Sequence, residues 1–242
     1  MIWCLHGFLG LGADWDALRA ACAAAGHPAI RTPSLFAPRG VAVPARGSLT
    51  EWGAAFAAHV AAADPTPIVI GYSLGGRLAL HALLARPALW RGAVIVSAHL
   101  GLADAAARAA RRAHDAAWAR RFRDDAWDRV LADWDARDVF GGRPQRQPRP
   151  EAAYDRTALA AALEDWSLGT QPPLTDRLDA IPCPVLWVTG ADDPRYVAQG
   201  DAAVHALPRG ALRAAPGAGH RVPWEAERWF ADEVVGFLKT VE

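Results

Sequence analysis

Short apolar runs alternate with longer amphipathic stretches over residues 1–98 and 181–242. Six short runs are predicted as strands: 2–5, 29–32, 68–70, 93–97, 185–189 and 211–214. Between them, apolar side chains recur at spacings of three and four, as at Trp15, Leu18 and Cys22, which predicts amphipathic helices. The last of these helices is predicted at 223–238. Strands that alternate with helices indicate an α/β fold, with a mainly parallel central sheet flanked by helices.

The pattern changes between residues 99 and 180, where no convincing strand is found. Three helix-like stretches are predicted there instead: 102–123, 125–136 and 151–167. The segment is also rich in arginine. We therefore predict that residues 99–180 form a helical cap, inserted after the strand at 93–97 and lying over the functional site. Residues 1–98 and 181–242 are predicted to form the core, which includes a Pro- and Gly-rich loop at 33–48.

The candidate chemistry centres on the motif Gly71-Tyr72-Ser73-Leu74-Gly75, which directly follows the predicted strand at 68–70. Leucines at helical spacing come next, so the motif lies between a strand and a helix. In this context Gly-x-Ser-x-Gly forms a nucleophile elbow, a strained turn in which the glycines leave room for neighbouring backbone. We predict Ser73 as the catalytic serine and the N–H of Leu74 as a donor to developing negative charge.

A serine hydroxyl becomes reactive when a histidine takes its proton and an acid orients that histidine. His220 follows a glycine-rich turn near the end of the sequence, and Asp193 lies in the loop that leaves the strand at 185–189. These two residues are predicted to complete the set, with the adjacent Asp192 as the alternative acid. A second oxyanion donor is predicted at the N–H of Phe8, after the His-Gly turn that ends the first strand.

Composition narrows the class of partner. The 26 Lys and Arg residues balance the 26 Asp and Glu residues, so the net charge is zero, which argues against nucleic acid as a partner. No apolar run approaches the ~18 residues of a membrane span, and the start lacks the basic segment of a signal peptide. Three widely spaced cysteines are expected to be reduced, so a cytoplasmic location is predicted.

No metal or cofactor is predicted. His, Cys and Asp residues show no metal-ligand spacing, and Gly10-Leu11-Gly12 lacks the third glycine of a dinucleotide-binding turn. The remaining histidines are predicted to be structural or exposed. For His99, which follows the strand at 93–97, a position lining the pocket is the alternative. The pattern leaves the oligomeric state open.

With these residues placed, the chain resembles the α/β-hydrolase superfamily over nearly its full length. The segments 6–15 and 71–80, and the cap segments 109–122 and 132–140, are similar to a narrower family, the 2-succinyl-6-hydroxy-2,4-cyclohexadiene-1-carboxylate (SHCHC) synthases of menaquinone biosynthesis. This resemblance implies a lyase in which the Ser–His–Asp set removes a proton and pyruvate is eliminated, while arginines hold the carboxylates of a small-molecule substrate. The substrate-binding residues that it implies are Tyr72, Arg77, Arg111, Trp134 and Arg156.

Alternatives stay open at this point. A carboxylic-ester hydrolase would use the same residues through an acyl-enzyme. A non-catalytic binding protein on this fold is a third hypothesis. Several converging arginines favour the lyase, because bidentate guanidinium groups suit a polycarboxylate and a neutral ester has no need of them. Arg112 is an alternative to Arg111, since the Ala-rich helix does not show which face is inward.

Overall fold

The computed structural model describes residues 1–38, 47–145 and 147–241, so residues 39–46 of the predicted loop at 33–48 lie outside it. In the described part, six parallel strands form one sheet in the order β2-β1-β3-β4-β5-β6. The strands are β1 (Ile2–Leu5), β2 (Ile30–Arg31), β3 (Ile68–Tyr72), β4 (Gly92–Val96), β5 (Val185–Gly190) and β6 (Gly210–Ala215). The predicted parallel sheet is therefore confirmed, with each of the six strands within two residues of its predicted bounds.

Both faces of the sheet are covered. In β1, Trp3 and Leu5 belong to one apolar core while Ile2 and Cys4 belong to the other, on the opposite face. Burial on both faces explains why the inner strands β1, β3 and β4 are continuous apolar runs without polar alternation, as expected of a parallel sheet between helical layers.

The helices supply the two outer layers. They are α1 (Asp16–Ala24), α2 (Leu49–Ala63), α3 (Leu74–Ala85), α4 (Ala105–Asp124), α5 (Trp127–Asp135), α6 (Arg156–Asp165), α7 (Pro194–Ala206), α8 (Val222–Glu225) and α9 (Glu227–Thr240). Side chains of α2, α3 and α7 join the core on one face, and those of α1 and α9 join the core on the other. No helix in the described ranges is both long and apolar enough to cross a membrane.

The single helix predicted at 223–238 is wrong, because the chain forms α8 and α9 with a break at Ala226. This residue has φ −132° and ψ 47°, outside the helical region. The Glu225 carboxylate accepts hydrogen bonds from the N–H groups of Gly219 (2.5 Å) and Arg221 (3.3 Å). These bonds hold the short α8 against the preceding loop, so the chain must turn before α9 packs on the sheet.

Helices α4, α5 and α6 lie between β4 and β5, at the three stretches predicted as helical, although α4 ends one residue later than predicted. The third helix begins later than predicted, since Glu151–Ala153 is a single 3-10 turn. Asp155 then caps α6 by accepting hydrogen bonds from the N–H groups of Thr157 and Ala158. Helix α4 packs against α6, and their apolar side chains continue the core that contains α2 and α3.

The strand order places the loops of interest together. The carboxyl ends of parallel strands share one edge of the sheet, and the order reverses direction between β1 and β3, where ligands bind in open α/β sheets. Phe8 follows β1, Ser73 follows β3, Asp193 follows β5 and His220 follows β6. Four distant parts of the sequence therefore meet at this edge.

Candidate active site

Ser73 occupies a strained turn between β3 and α3. Its backbone has φ 52° and ψ −111°, a region that side-chain-bearing residues rarely adopt. A Cβ atom at Gly75 would lie 2.1 Å from the Leu5 carbonyl oxygen, and one at Gly71 would lie 2.4 Å from the Gly75 carbonyl oxygen. Backbone occupies both spaces, so the need for glycine that the motif predicts is confirmed.

Ser73, His220 and Asp193 form a chain of hydrogen bonds. The Ser73 hydroxyl lies 3.1 Å from Nε2 of His220, and Nδ1 of His220 lies 3.2 Å from Oδ2 of Asp193. Since a carboxylate only accepts, the Nδ1 atom carries the ring proton and Nε2 is the acceptor for the serine proton. Burial lowers the pKa of His220, and the Asp193 carboxylate opposes that shift. The imidazole is therefore neutral at pH 7, the state that a general base requires.

The neighbouring carboxylate, Asp192, points elsewhere. It pairs with Nη2 of Arg143 at 2.6 Å, and half of its side chain is exposed. Asp193 is buried more deeply and reaches the imidazole of His220. Of the two acids left open by the sequence, the structure brings Asp193 to the histidine.

Two backbone N–H groups flank Ser73. The N–H of Leu74 lies in the first turn of α3, where helix N–H groups lack intrahelical acceptors and the helix dipole is positive. Phe8 lines the same cavity as Ser73 and Leu74. Within the described residues, neither N–H donates to another group of the protein. The pair is therefore available to an oxygen that develops negative charge beside Ser73.

A cavity of about 130 Å³ opens on Ser73 and His220. It lies between the carboxyl edge of the sheet and residues from α4, α5 and α6. Among its lining residues are Phe8, Tyr72, Leu74, Arg77, Arg111 and Trp134, all predicted from the sequence. The structure thus brings the predicted serine, histidine and oxyanion donors together with four of the five predicted substrate-binding residues.

Arg77 is buried and firmly held. Its Nε donates to the Gln171 side chain, and its Nη2 donates to the Trp166 carbonyl oxygen at 2.8 Å. Burial, followed by the charge of Arg111, lowers its pKa from 12.5 to about 9. The guanidinium remains charged at pH 7, so it presents a desolvated cation to the cavity. Such a cation binds an anion more strongly than an exposed one does.

Arg111 also presents its guanidinium to the cavity. Its Nε lies 2.8 Å from each carboxylate oxygen of the buried Asp115, which in turn accepts a hydrogen bond from the Ser167 hydroxyl at 2.7 Å. The neighbouring Arg112 instead donates to the Gly169 carbonyl oxygen at 2.9 Å. The helix therefore turns Arg111, not Arg112, toward the site.

Comparison with known proteins agrees with this geometry. Residues 4–233 match the alpha/beta hydrolase family. The chain belongs to that family. The α/β-hydrolase resemblance drawn from the elbow and its partners is thereby confirmed.

Relatives narrow the comparison. A 2-succinyl-6-hydroxy-2,4-cyclohexadiene-1-carboxylate synthase of Serratia proteamaculans is 40% identical over 70% of this chain and 67% of the relative. The enzyme of the same name from Pectobacterium atrosepticum is 33% identical over 97% of this chain and 92% of the relative. The structure of MenH from S. aureus superposes with a TM-score of 0.88 at 21% identity, covering 99% of this chain and 93% of that one, which shows a shared fold. The narrower resemblance to the SHCHC synthases is also confirmed.

In this α/β hydrolase, Arg156 lies outside the cavity. Its Nε donates to the Phe122 carbonyl oxygen at 2.6 Å, its Nη2 donates to the Asp125 carbonyl oxygen at 2.5 Å, and its Nη1 pairs with Glu151 at 2.9 Å. These bonds tie the start of α6 to the end of α4. The substrate-binding role predicted for Arg156 is not supported by its position, because its donors satisfy carbonyl groups at a helix terminus.

Two arginines that the sequence analysis did not select do line the cavity. Arg137 follows α5, and Arg195 lies in the first turn of α7. Arg137 lies beyond the end of α5 and beyond the helix predicted at 125–136, so helical spacing from Trp134 gave no signal for it. Arg195 lies two residues after Asp193, but the sequence of a short loop does not show which way a side chain points.

His99 and Tyr196 also line the cavity. For His99 the structure shows the alternative left open by the sequence, a position at the cavity wall, and the side chain is also buried. Nδ1 of His99 accepts the Gly101 N–H at 3.0 Å, so Nε2 carries the proton, and burial lowers its pKa to about 3. The Tyr196 ring lies 4.4 Å from the His220 ring, centroid to centroid. Both residues follow β-strand ends, but only the folded chain shows that they face His220 and its cavity.

No arrangement suited to a metal ion is present in the described ranges, where no three His, Cys, Asp or Glu side chains group in that way. The three cysteines are free and buried. The polar side chains that line the cavity include four arginines, hydroxyl groups and a single carboxylate, Asp115, and this excess of positive charge suits an anionic organic ligand.

Proposed function

We propose that this α/β hydrolase is a carbon–oxygen lyase that eliminates pyruvate from a polycarboxylate cyclohexene substrate to give SHCHC, the compound in its relatives' name. The observation that carries the proposal is one cavity that holds the neutral Ser73–His220 pair, the buried guanidinium of Arg77 and the partly buried guanidinium of Arg111. The substrate class is a small molecule with several carboxylates. We propose no nucleic-acid partner.

In the proposed reaction, Ser73 and His220 act as a base. His220 Nε2 takes the hydroxyl proton as the serine oxygen removes a proton from a substrate carbon, so the proton ends on the imidazole. The electron pair of the broken C–H bond forms a new double bond, and the C–O bond to the pyruvyl group breaks. The departing enolate takes up a proton to become pyruvate. Asp193 stabilises the imidazolium that forms in between.

The N–H groups of Phe8 and Leu74 are the proposed donors to the oxygen on which negative charge builds. Neither N–H donates to another group in the described part of the chain, so neither has to break a hydrogen bond when the charge appears. Together with Ser73, Asp193 and His220, they are the residues to which we assign the chemistry. Tyr72, Arg77, Arg111 and Trp134 are the proposed substrate contacts.

The proposal includes a division of the chain into a core of residues 1–98 and 181–242 and a cap of residues 99–180. Support comes from Arg77 in α3, which bonds to Gln171 and Trp166 of the proposed cap across the cavity. One guanidinium thus both orders the cap segment and lines the site. A cytoplasmic location is also proposed, supported by the three free cysteines.

The arginines favour elimination from a polycarboxylate over hydrolysis of a neutral ester. Burying a guanidinium is costly unless an anion or acceptor compensates it. Four arginines line this cavity (Arg77, Arg111, Arg137 and Arg195), while a single carboxylate, Asp115, is present among the lining residues described. An uncharged ester leaves that excess unpaired, whereas carboxylates neutralise it.

The test is to measure pyruvate release from the substrate generated in situ, beside hydrolysis of a short p-nitrophenyl ester. Ser73→Ala and Arg77→Ala are compared with Arg112→Ala, a control whose guanidinium donates to the Gly169 carbonyl oxygen and is not among the residues that line the cavity. We expect fast pyruvate release that is lost in the first two variants and retained in the control. Ester turnover that requires Ser73 but ignores Arg77, with no pyruvate released, would establish the carboxylic-ester hydrolase instead.

A further inference from the structure

Arg137 has an unusual position among the cavity arginines. Its guanidinium carbon lies 4.1 Å from the centre of the Trp134 ring and 5.7 Å from the centre of the Trp118 ring. The two rings meet edge to face, with centroids 5.1 Å apart. They therefore fix the guanidinium plane at the cavity wall by stacking, the contact that arginine makes with aromatic faces.

The guanidinium of Arg137 lacks an acceptor within the described part of the chain. Arg77 is held by Gln171 and Trp166, and Arg111 is held by Asp115. Arg137, by contrast, makes ring contacts only, although its side chain is partly buried. The ring contacts stabilise the charge but leave the five N–H donors of the guanidinium without a protein acceptor in the described ranges, so these donors are available to a ligand in the cavity.

The electrostatic surroundings make this arrangement costly for the free protein. Burial, followed by the charge of Arg111, lowers the pKa of Arg137 from 12.5 to about 10, so it stays charged at pH 7. Asp115 and Tyr196 act in the opposite direction, and Arg195 adds to the repulsion. Asp115 is already committed to Arg111. A ligand anion would remove both the repulsion and the missing hydrogen bonds.

We infer that Arg137 binds a carboxylate of the substrate at a subsite distinct from the one formed by Arg77 and Arg111. The Trp118–Trp134 pair sets the direction of its donors. The ligand class is a compound with at least two carboxylates joined by an apolar body, which the aromatic wall accommodates. This inference rests on the proposed function for the identity of the substrate, but the anion subsite itself can be tested without it.

The experiment compares Arg137→Gln and Arg137→Lys with Arg121→Gln. Arg121 is a matched control, because its guanidinium also stacks on Trp118, at 4.6 Å, but pairs with Asp125 and Asp133. Binding of isophthalate and of its uncharged dimethyl ester is measured by calorimetry in a Ser73→Ala background. Pyruvate release is measured in the same variants with Ser73 intact, and kcat and KM are resolved.

We expect Arg137→Gln to weaken isophthalate binding and raise KM by about 10- to 100-fold, the range for one hydrogen-bonded charge pair. Arg137→Lys should recover part of the loss, Arg121→Gln should show none, and the dimethyl ester should bind alike throughout. Three outcomes would each overturn the subsite. They are equal isophthalate binding by wild type and Arg137→Gln, equal losses of isophthalate binding in both glutamine variants, and no preference of the wild type for isophthalate over its dimethyl ester. Absence of pyruvate release with isophthalate binding that depends on Arg137 would overturn the lyase and leave the subsite standing.

Discussion

Asp192 and Asp193 are adjacent carboxylates with different surroundings, and replacing each by asparagine separates their roles. Oδ1 of Asp193 caps α7 by accepting a hydrogen bond from the Tyr196 N–H at 3.4 Å. In Asp193→Asn the side chain keeps its size, and its amide oxygen can accept the same bond. What changes is the bond to His220 Nδ1, which is 3.2 Å long. An amide group can donate to that nitrogen, which turns the proton to Nε2. The imidazole then has no lone pair for the Ser73 proton.

The expected loss follows from that change of tautomer. In a serine protease with the same three catalytic residues, replacing the aspartate by asparagine lowers kcat about 10⁴-fold, equivalent to about 5.5 kcal/mol in the barrier. We expect a fall of about 10³- to 10⁴-fold in kcat for pyruvate release. KM should change little, since Asp193 is not among the residues that line the cavity. The free energy of unfolding should fall by about 1 kcal/mol or less, because the asparagine keeps the N-cap hydrogen bond of α7.

Asp192→Asn is the matched control for this substitution. Its carboxylate is half exposed and pairs with Arg143, which keeps bonds to the Gly217 carbonyl oxygen (2.8 Å) and to Glu225 (3.3 Å). An exposed pair of this kind contributes about 0–1 kcal/mol, so kcat should stay within about twofold. The measurement that compares the two variants is kcat for steady-state pyruvate release at pH 7.5. Equal losses in the two variants, or a larger loss in Asp192→Asn, would refute the assignment of Asp193.

Three further predictions concern pH and the elbow. Because burial holds the pKa of His220 below 6.5, kcat/KM should fall as the pH drops below 6.5, and an acid midpoint above 6.5 would contradict the reasoning. At the alkaline end kcat/KM should fall near pH 9, where Arg77 loses its charge. His6 and His81 are buried and their pKa values are lowered from 6.5 to about 4. As the pH falls, the unfolded chain therefore takes up protons before the folded chain does. The free energy of unfolding should be full above pH 6.5 and should fall toward pH 4 by about 3 kcal/mol for each histidine. Urea titrations at several pH values measure this loss. Gly75→Ala places a methyl group against the Leu5 carbonyl oxygen, so the melting temperature should drop sharply, equivalent to about 3 kcal/mol or more, and a variant of unchanged melting temperature would show that the turn can relax.

The sequence determined the strands and the order of the chemistry along the chain. Residues of β3 are apolar because helices cover both faces, and the glycines around Ser73 are needed because backbone passes within van der Waals distance. Such requirements act between near neighbours in sequence or on every residue of a strand. They therefore leave a pattern that can be read without coordinates.

Tertiary structure alone decided which charged side chains face the cavity. Arg111 and Arg112 are adjacent in one Ala-rich helix, and only the packing of α4 on α6 turns the first inward and the second toward the Gly169 carbonyl oxygen. Arg156 is an arginine in the right segment, yet it satisfies backbone carbonyl groups, while Arg137 stacks at the cavity wall. A long flexible side chain reaches several sites from one backbone position, so its role depends on which acceptors the fold brings within reach.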